Sequence, residues 1–318
     1  MKKIGIIMSV LFFFAGMVFA GDFPSKPITH IIPAKAGGGF DQSSRVLAMG
    51  WEELLGQPVT FDYSPGASGA IGFGKMMSRP SDGYTTIMTT ISMYAMDVNS
   101  GTAKVGWDEV GFVGNLIVDP NVLLVHKDSG YNTVADFIKA GENAEKPLTI
   151  ATSHPKAVST LAAKILIKLT GINAKVIPFS GGSQSRDALA GKQVDACIGP
   201  YFSASSKKDF IKALASFTNK KVYSGVWDVP TLSQTTGKPF PNLVEPFAFM
   251  IKRDTVTSSP ENYKKLVDTF KQAVSSQKTL DLAKQQGMVP FIDYWSPEEC
   301  DAYVQEFQKV WEQYKDLM

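Results

Sequence analysis

Three consecutive glycines, Gly37, Gly38 and Gly39, stand between a buried strand and a helix opened by Asp41 in the run ITHIIPAKAGGGFDQSSR, Ile28 to Arg45. Glycine lets the backbone turn sharply and approach a ligand with no Cβ in the way. The following helix points unpaired amide N–H groups and its positive dipole end into the same space. Such a corner favours an anion, a carboxylate or a phosphate. Taken alone, it fits a plain strand-to-helix connection equally well. A second corner, FSGGSQSRD, carries Ser180, Gly181, Gly182 and Ser183, and a polar loop, Thr152-Ser153-His154, precedes it. Ligands of open α/β sheets bind outside the carboxyl ends of strands. If two such units face each other, both corners aim amides and hydroxyls into one cleft, the geometry of a two-lobed receptor that closes about a hinge.

Catalytic patterns are scarce. The histidines are His30, His126 and His154, and none shows metal-ligand spacing or an HExxH arrangement. There is no GxSxG elbow, AGGGFD lacks the spacing of a dinucleotide fingerprint, and no GxxxxGK[ST] run occurs. No cofactor and no metal are expected. His30 and His126 fall in or beside apolar strands and read as structural, whereas His154 sits in a loop above a sheet, where function concentrates. Cys197 lies in the apolar run VDACI and Cys300 at the start of a C-terminal helix, so two separately buried thiols are expected.

Strand-like and helix-like patterns alternate, which predicts an α/β architecture with mostly parallel sheets. A helix bearing Leu47, Trp51, Leu54 and Leu55 ends at Gly56, and Val59 to Tyr63 reads as a strand. The loop SPGASGAIG, with Ser68, leads to a helix from Ala70 to Ser78, and the strand Thr85 to Thr90 ends in hydroxyls, Thr89, Thr90 and Ser92. The pattern restarts at the short strand Val122 to His126. Helices from Thr133 and around Val158 to Leu169 then alternate with strands at Leu148 to Ala151, Lys175 to Pro178 and Val194 to Ile198. Past Ser224 come the strand Val244 to Ile251 and three closing helices, whose Tyr263, Leu266, Phe270, Tyr303, Phe307 and Trp311 have the period of packing faces. The predicted lobes are 21–119 with 224–318, and 120–223 inserted between them.

The first twenty residues read as an export signal. Lys2 and Lys3 precede an apolar run, Ile4 to Phe19, and Val18-Phe19-Ala20 offers a cleavage site after Ala20. The run is shorter than the ~20 residues of a membrane span. Removing Lys2 and Lys3 takes the basic residues from 32 to 30 against 30 acidic ones, so the mature chain is formally neutral. A neutral chain argues against a nucleic-acid partner, and no basic amphipathic face suggests a membrane surface. At 44% hydrophobic residues, packed cores are readily built.

Several segments in order, FPSKPITHIIPAKAGGGFDQSSRVLA, LGQPVTFDYSPGASGAIGFGKMMSRPSDGYTTIMTT, IPFSGGSQSRDALAGKQVDA and WDVPTLSQ, resemble the periplasmic solute receptors of tripartite tricarboxylate transporters, the Bug-type receptors. The resemblance covers nearly all of the mature chain. It implies a two-lobed periplasmic-binding-protein-like fold of type II, with the ligand cleft between the lobes and no enzymatic activity. It further implies that a small organic carboxylate is gripped by backbone amides, hydroxyls and waters, then delivered to a membrane permease of the tripartite tricarboxylate type by a periplasmic monomer. Carried over, the first binding loop is Lys35 to Asp41, with Lys35, Gly38, Gly39, Phe40 and Asp41. The second is Ser180 to Ser183, with Thr152, Ser153 and His154 between them. Ser68, Thr90 and Ser92 are weaker candidates.

The chain departs from the family where the pocket mouth is expected. Ala34 and Lys35 replace an aromatic residue and an alanine, Phe40 a threonine, His154 and Lys156 glycines, and Gly199 an aspartate. If Lys35, His154 and Lys156 face the cleft, they suit a di- or tricarboxylate; lysines extending into solvent are the alternative. Phe40 equally suits an aromatic carboxylate. Two other functional classes stay open at this point: a secreted hydrolase using Ser153 or Ser183 with His154, which has no identifiable acidic orienter, and a sensor subunit for a membrane kinase.

Overall fold

The computed structural model describes residues 23–66, 69–219, 222–223 and 226–318. The predicted export signal, its cleavage site at Ala20, Ser68 and the lobe limit at Ser224 lie outside those residues. The first βα units are β1 (Ile28–Ile32), α1 (Gly39–Leu55), β2 (Val59–Tyr63), α2 (Ala70–Met77), β3 (Thr85–Thr90) and α3 (Ile91–Asn99). The strand β4 (Val110–His126) follows, then α4 (Val134–Glu142), β5 (Leu148–Thr152), α5 (Val158–Thr170), β6 (Ala174–Pro178), α6 (Gly182–Ala190), β7 (Ala196–Pro200), α7 (Tyr201–Ser205) and β8 (Ile211–Ser216). A small hairpin, β9 (Val222–Tyr223) and β10 (Asp228–Val229), precedes α8 (Leu232–Thr236) and β11 (Val244–Lys252). The chain closes with α9 (Thr255–Ser258), α10 (Pro260–Val274), α11 (Gln277–Gln285), β12 (Ile292–Trp295) and α12 (Pro297–Tyr314).

One mixed sheet runs β2-β1-β3-β11-β4-β7-β5-β6, with β12 and β8 also paired to β4. β1 is parallel to β2 and β3, and β5 is parallel to β6 and β7, as βαβ connections require. The fold is α/β and two-lobed, and β4 is what the lobes share. From Val110 to Pro120 this strand pairs antiparallel with β11, and from Asn121 onward it pairs with β7 and β8. The sequence pattern shows only its second half, Val122 to His126. The first half contains Gly111, Gly114 and the Asp119-Pro120 pair, which read locally as breakers. Packing explains one of them: a Cβ on Gly114 would stand 2.7 Å from the Phe270 ring of α10.

In the first lobe α1 lays Leu47, Trp51 and Leu55 on the sheet, with Leu54 at the exposed edge of that face. The Trp51 indole donates to Thr269 Oγ1 at 2.9 Å and meets Phe249 and Phe270 edge-on. In the second lobe α5 buries Val158, Leu161, Ala162 and Ile165, and α4 opens with a capping box between Thr133 and Asp136. His30 is fully buried on β1, bonded to Thr86 and Ser44 and stacked on Phe249. His126 accepts from the Asp128 amide at 3.1 Å. Both are structural. Cys197 and Cys300 are free and buried, and burial pushes the Cys197 thiol up to about 11. Among the described residues no helix is long and apolar enough to cross a membrane.

Candidate functional site

Parallel strands place the starts of their following helices at one end of each half-sheet, and these ends face each other. Between them lies a cavity of about 360 Å³. The first lobe contributes Ala34, Gly38, Gly39 and Phe40 from the β1–α1 corner, Thr90 and Met93 from the start of α3, and Glu245 and Phe247 from β11. The second lobe contributes Ser153, His154, Lys156, Ala157, Val158 and Ser159 from the β5–α5 connection and the start of α5, Gly182, Ser183 and Arg186 from α6, and Pro200 and Ser203 around α7. The walls approach closely, since a Cβ on Gly39 would lie 3.7 Å from the Phe247 ring and 3.8 Å from Ser203 Oγ.

Helix starts converge on this space. α1, α5 and α6 begin at Gly38, Ala157 and Gly181 with no side chain capping their first turns. Their leading N–H groups and positive dipole ends are therefore available to an anion. α3 differs, because Thr90 Oγ1 accepts from the Met93 amide and is its cap.

Two charged groups stand on opposite walls. Arg186, on α6, has its Nε buried with no hydrogen-bond partner, and it joins none of the ion pairs found among the described residues. Its guanidinium folds back over its own helix start, so that a Cβ on Gly182 would stand 3.0 Å from Nη1. Burial lowers its pKa, an effect opposed by the charges of Cys197, Asp119 and Asp187. A half-buried guanidinium with an unpaired Nε is suited to binding a carboxylate. Across the cavity, Glu245 accepts from Thr90 Oγ1 and Ser92 Oγ, both at 2.6 Å into Oε2, and from Asn121 Nδ2 at 3.3 Å into Oε1. Burial raises its pKa, and those three donors oppose the rise. Asp119 lies fully buried close by, accepting from the Phe202 amide at 2.8 Å, with burial pushing its pKa up to about 7.

Of the residues singled out in the sequence, Gly38, Gly39, Phe40, Thr90, Ser153, His154, Gly182 and Ser183 line the cavity. Lys35 is exposed outside it. Asp41 is buried within its own corner, taking bonds from the Gly37 amide, Arg45 and Tyr63. Burial alone raises the Asp41 pKa, but these partners outweigh it and hold the carboxyl below the usual range. Ser92 stands behind Thr90 on Glu245, and Thr152 is buried against Thr160 at 2.7 Å. Gly181 is the N-cap of α6, and Ser180 is exposed, its amide donating to Gln184. Neither faces the cavity directly. Lys156 lines the mouth and reaches across it, donating to Thr102 Oγ1 at 2.9 Å and to the Ser100 carbonyl at 3.4 Å. Sequence reading missed Arg186, Glu245, Met93, Ser203 and Phe247. The ring of Phe247 meets Phe40 edge-on at 5.2 Å.

A serine–histidine nucleophile is not assembled. Ser153 Oγ pairs with Ser159 Oγ at 3.2 Å, and Ser183 Oγ with Asp187 at 3.4 Å. Burial lowers the His154 pKa, so the ring is neutral at pH 7. No described group of three or more His, Cys, Asp or Glu side chains is arranged to hold a metal.

Two half-sheets that share one long strand, with helix starts around a cavity between them, define a two-lobed solute-binding protein. The description "Tripartite tricarboxylate transporter family receptor" matches residues 43–313, and the chain belongs to that family. A protein of the gbd 5′ region of Cupriavidus necator is 28% identical over 278 residues, 86% of this chain and 82% of that one. BugT of Bordetella pertussis is 25% identical over 306 residues, 93% of this chain and 90% of that one. A structure of an R. palustris protein with adipate superposes at a TM-score of 0.78 and 22% identity, covering 93% of this chain and 98% of its own.

Proposed function

We propose that this protein is a periplasmic receptor that captures a small organic carboxylate between its lobes and hands it, unchanged, to a tripartite tricarboxylate-type membrane permease. One observation carries the reading: uncapped helix starts from both lobes and a half-buried guanidinium with a buried, unpaired Nε surround a single cavity. All of these favour a carboxylate, and none supplies a nucleophile. Adipate in a neighbour of the same fold is consistent with that ligand class. The ligand contacts in this reading are Gly38, Gly39, Phe40, Thr90, Ser153, His154, Gly182 and Ser183, extended by Arg186 and Glu245.

The proposal includes export with cleavage after Ala20 and action as a monomer. It also takes residues 21–119 with 224–318 as one lobe and 120–223 as the other. The change of strand partner along β4 between Pro120 and Asn121 supports that division. Thermal denaturation of the purified protein against a carboxylate panel tests the reading, with mass spectrometry of the ligand afterwards. Saturable stabilisation with the ligand recovered intact is expected. Conversion of the ligand, or no stabilisation by any carboxylate, contradicts it.

A further inference from the structure

Resting on the carboxylate-receptor reading, we propose that Arg186 and Glu245 give the ligand a fixed polarity. The carboxylate goes to Arg186 on the second lobe, and an ammonium group goes to Glu245 on the first, so the preferred ligand class is a small amino carboxylate with an apolar body.

Two hydroxyls and one amide donate to Glu245. Asn121 is held in that orientation because its Nδ2 also donates to the Leu243 carbonyl at 3.2 Å, a group that only accepts. The arrangement suits an ionised carboxylate, with acceptor capacity left on Oε1 for a ligand donor.

Arg186 is a half-buried cation of the cavity wall with its Nε buried, whereas Lys156 is exposed at the mouth and engaged with Ser100 and Thr102. Against Arg186 stands Glu245 in the lining, while the fully buried Asp119 carboxyl, pushed up to about 7, adds only part of a charge. A dicarboxylate would set its second charge against an acid-bearing wall, where like charges at close range in a poorly solvated site are costly. A zwitterion instead pairs each of its charges with an opposite one. The lining also carries apolar side chains, Phe40, Phe247, Met93, Ala157 and Val158, which accounts for the apolar body.

The test is calorimetric titration of the full mature chain with two matched series. One is 6-aminohexanoate, 6-hydroxyhexanoate and adipate; the other is phenylalanine, 3-phenyllactate and phenylsuccinate. The ammonium member is expected to bind tightest in at least one series, by about tenfold or more over its dicarboxylate. Glu245→Gln, which keeps the shape, should remove that advantage and leave the dicarboxylate as tight or tighter, with thermal melting showing that the variant is folded. If Glu245→Gln does not fold, Asn121→Asp, which sets a second carboxylate beside Glu245, should widen the ammonium preference, and an unchanged preference then overturns the proposal. If in both series the dicarboxylate or the hydroxyl member binds tightest, the polarity is overturned and the receptor reading stands. Failure of all six to bind the folded protein overturns the receptor reading, and this inference with it.

Discussion

The two walls of the cavity solve the same problem with different chemistry. The second lobe presents a half-buried guanidinium folded over the start of its own helix, with two uncapped helix starts, α5 and α6, beside it. The first lobe presents one uncapped start, α1, and then turns acidic, with the Thr90 and Ser92 hydroxyls donating to Glu245. The difference teaches that helix starts alone do not make both walls anion-seeking. Side chains behind the backbone set the sign of each wall, and in the first lobe the polar groups hold an acid in place.

The largest effect should come from the wall that is most positive. Arg186→Ala is expected to lower carboxylate affinity by ~10- to 100-fold, read by calorimetry, because it removes charge-assisted donors from a poorly solvated site. Its fold should survive, since the variant also relieves a buried Nε of its unmet hydrogen bond. If affinity is unchanged, the second wall does not hold the anion. Gly182→Ala probes the same wall more gently. The new Cβ would stand 3.0 Å from Nη1 and push the guanidinium aside, with a loss of about tenfold expected.

On the first wall the expected effect is on stability. Thr90→Val keeps the shape but removes both the cap on α3 and a donor to Glu245, costing about 1–2 kcal/mol in urea unfolding. A neutral result would mean that Glu245 does not rely on its hydroxyl partners. The smallest effect belongs to the contact spanning the walls. Lys156→Ala loses exposed bonds to Ser100 and Thr102 and should weaken binding by about threefold or less. In small-angle scattering the variant should keep the compaction that a saturating ligand causes in the wild type; identical free and bound curves in the wild type would remove the hinge.

Acid and base act on the walls with opposite signs. Asp119 has a folded pKa raised from 3.8 to about 7, so its share of stability is full below pH 3.8 and is lost as pH rises through 7. His30, buried behind the first wall, has a pKa lowered from 6.5 to about 3. Its share is full above pH 6.5 and is lost as pH falls towards 3. Asp119→Asn should therefore remove a fall in stability between pH 3.8 and 7, so that stability rises more steeply with pH across that range. A variant whose profile over that range matches the wild type places the titration elsewhere.

Much of this was legible in the sequence because local rules carried it. The corner at Gly37 to Gly39, the stop at Gly56 and the Thr133 cap are written in adjacent residues, and the family motifs lie along one line of chain. β4 was half-hidden, since Gly114 looks like a breaker until Phe270, far along the chain, is seen to need the space. Arg186 and Glu245 were hidden for the same reason. In SGGSQSRD the arginine reads as one more polar position on a short helix. Glu245 joins Thr90 and Ser92 only through the register of two strands, Phe247 opposite Thr90, which carries Glu245 just past the end of β3. A cue did exist: an acid at the head of an otherwise apolar strand, VEPFAFMI, is costly to bury unless something meets it.

The most direct measurement is a crystal structure of the mature protein with its tightest-binding carboxylate. The account predicts one carboxylate group between the lobes, its oxygens within ~3 Å of the Arg186 guanidinium and of first-turn amides from α1, α5 or α6. A carboxylate seated elsewhere, with Arg186 turned away from it, would contradict the account.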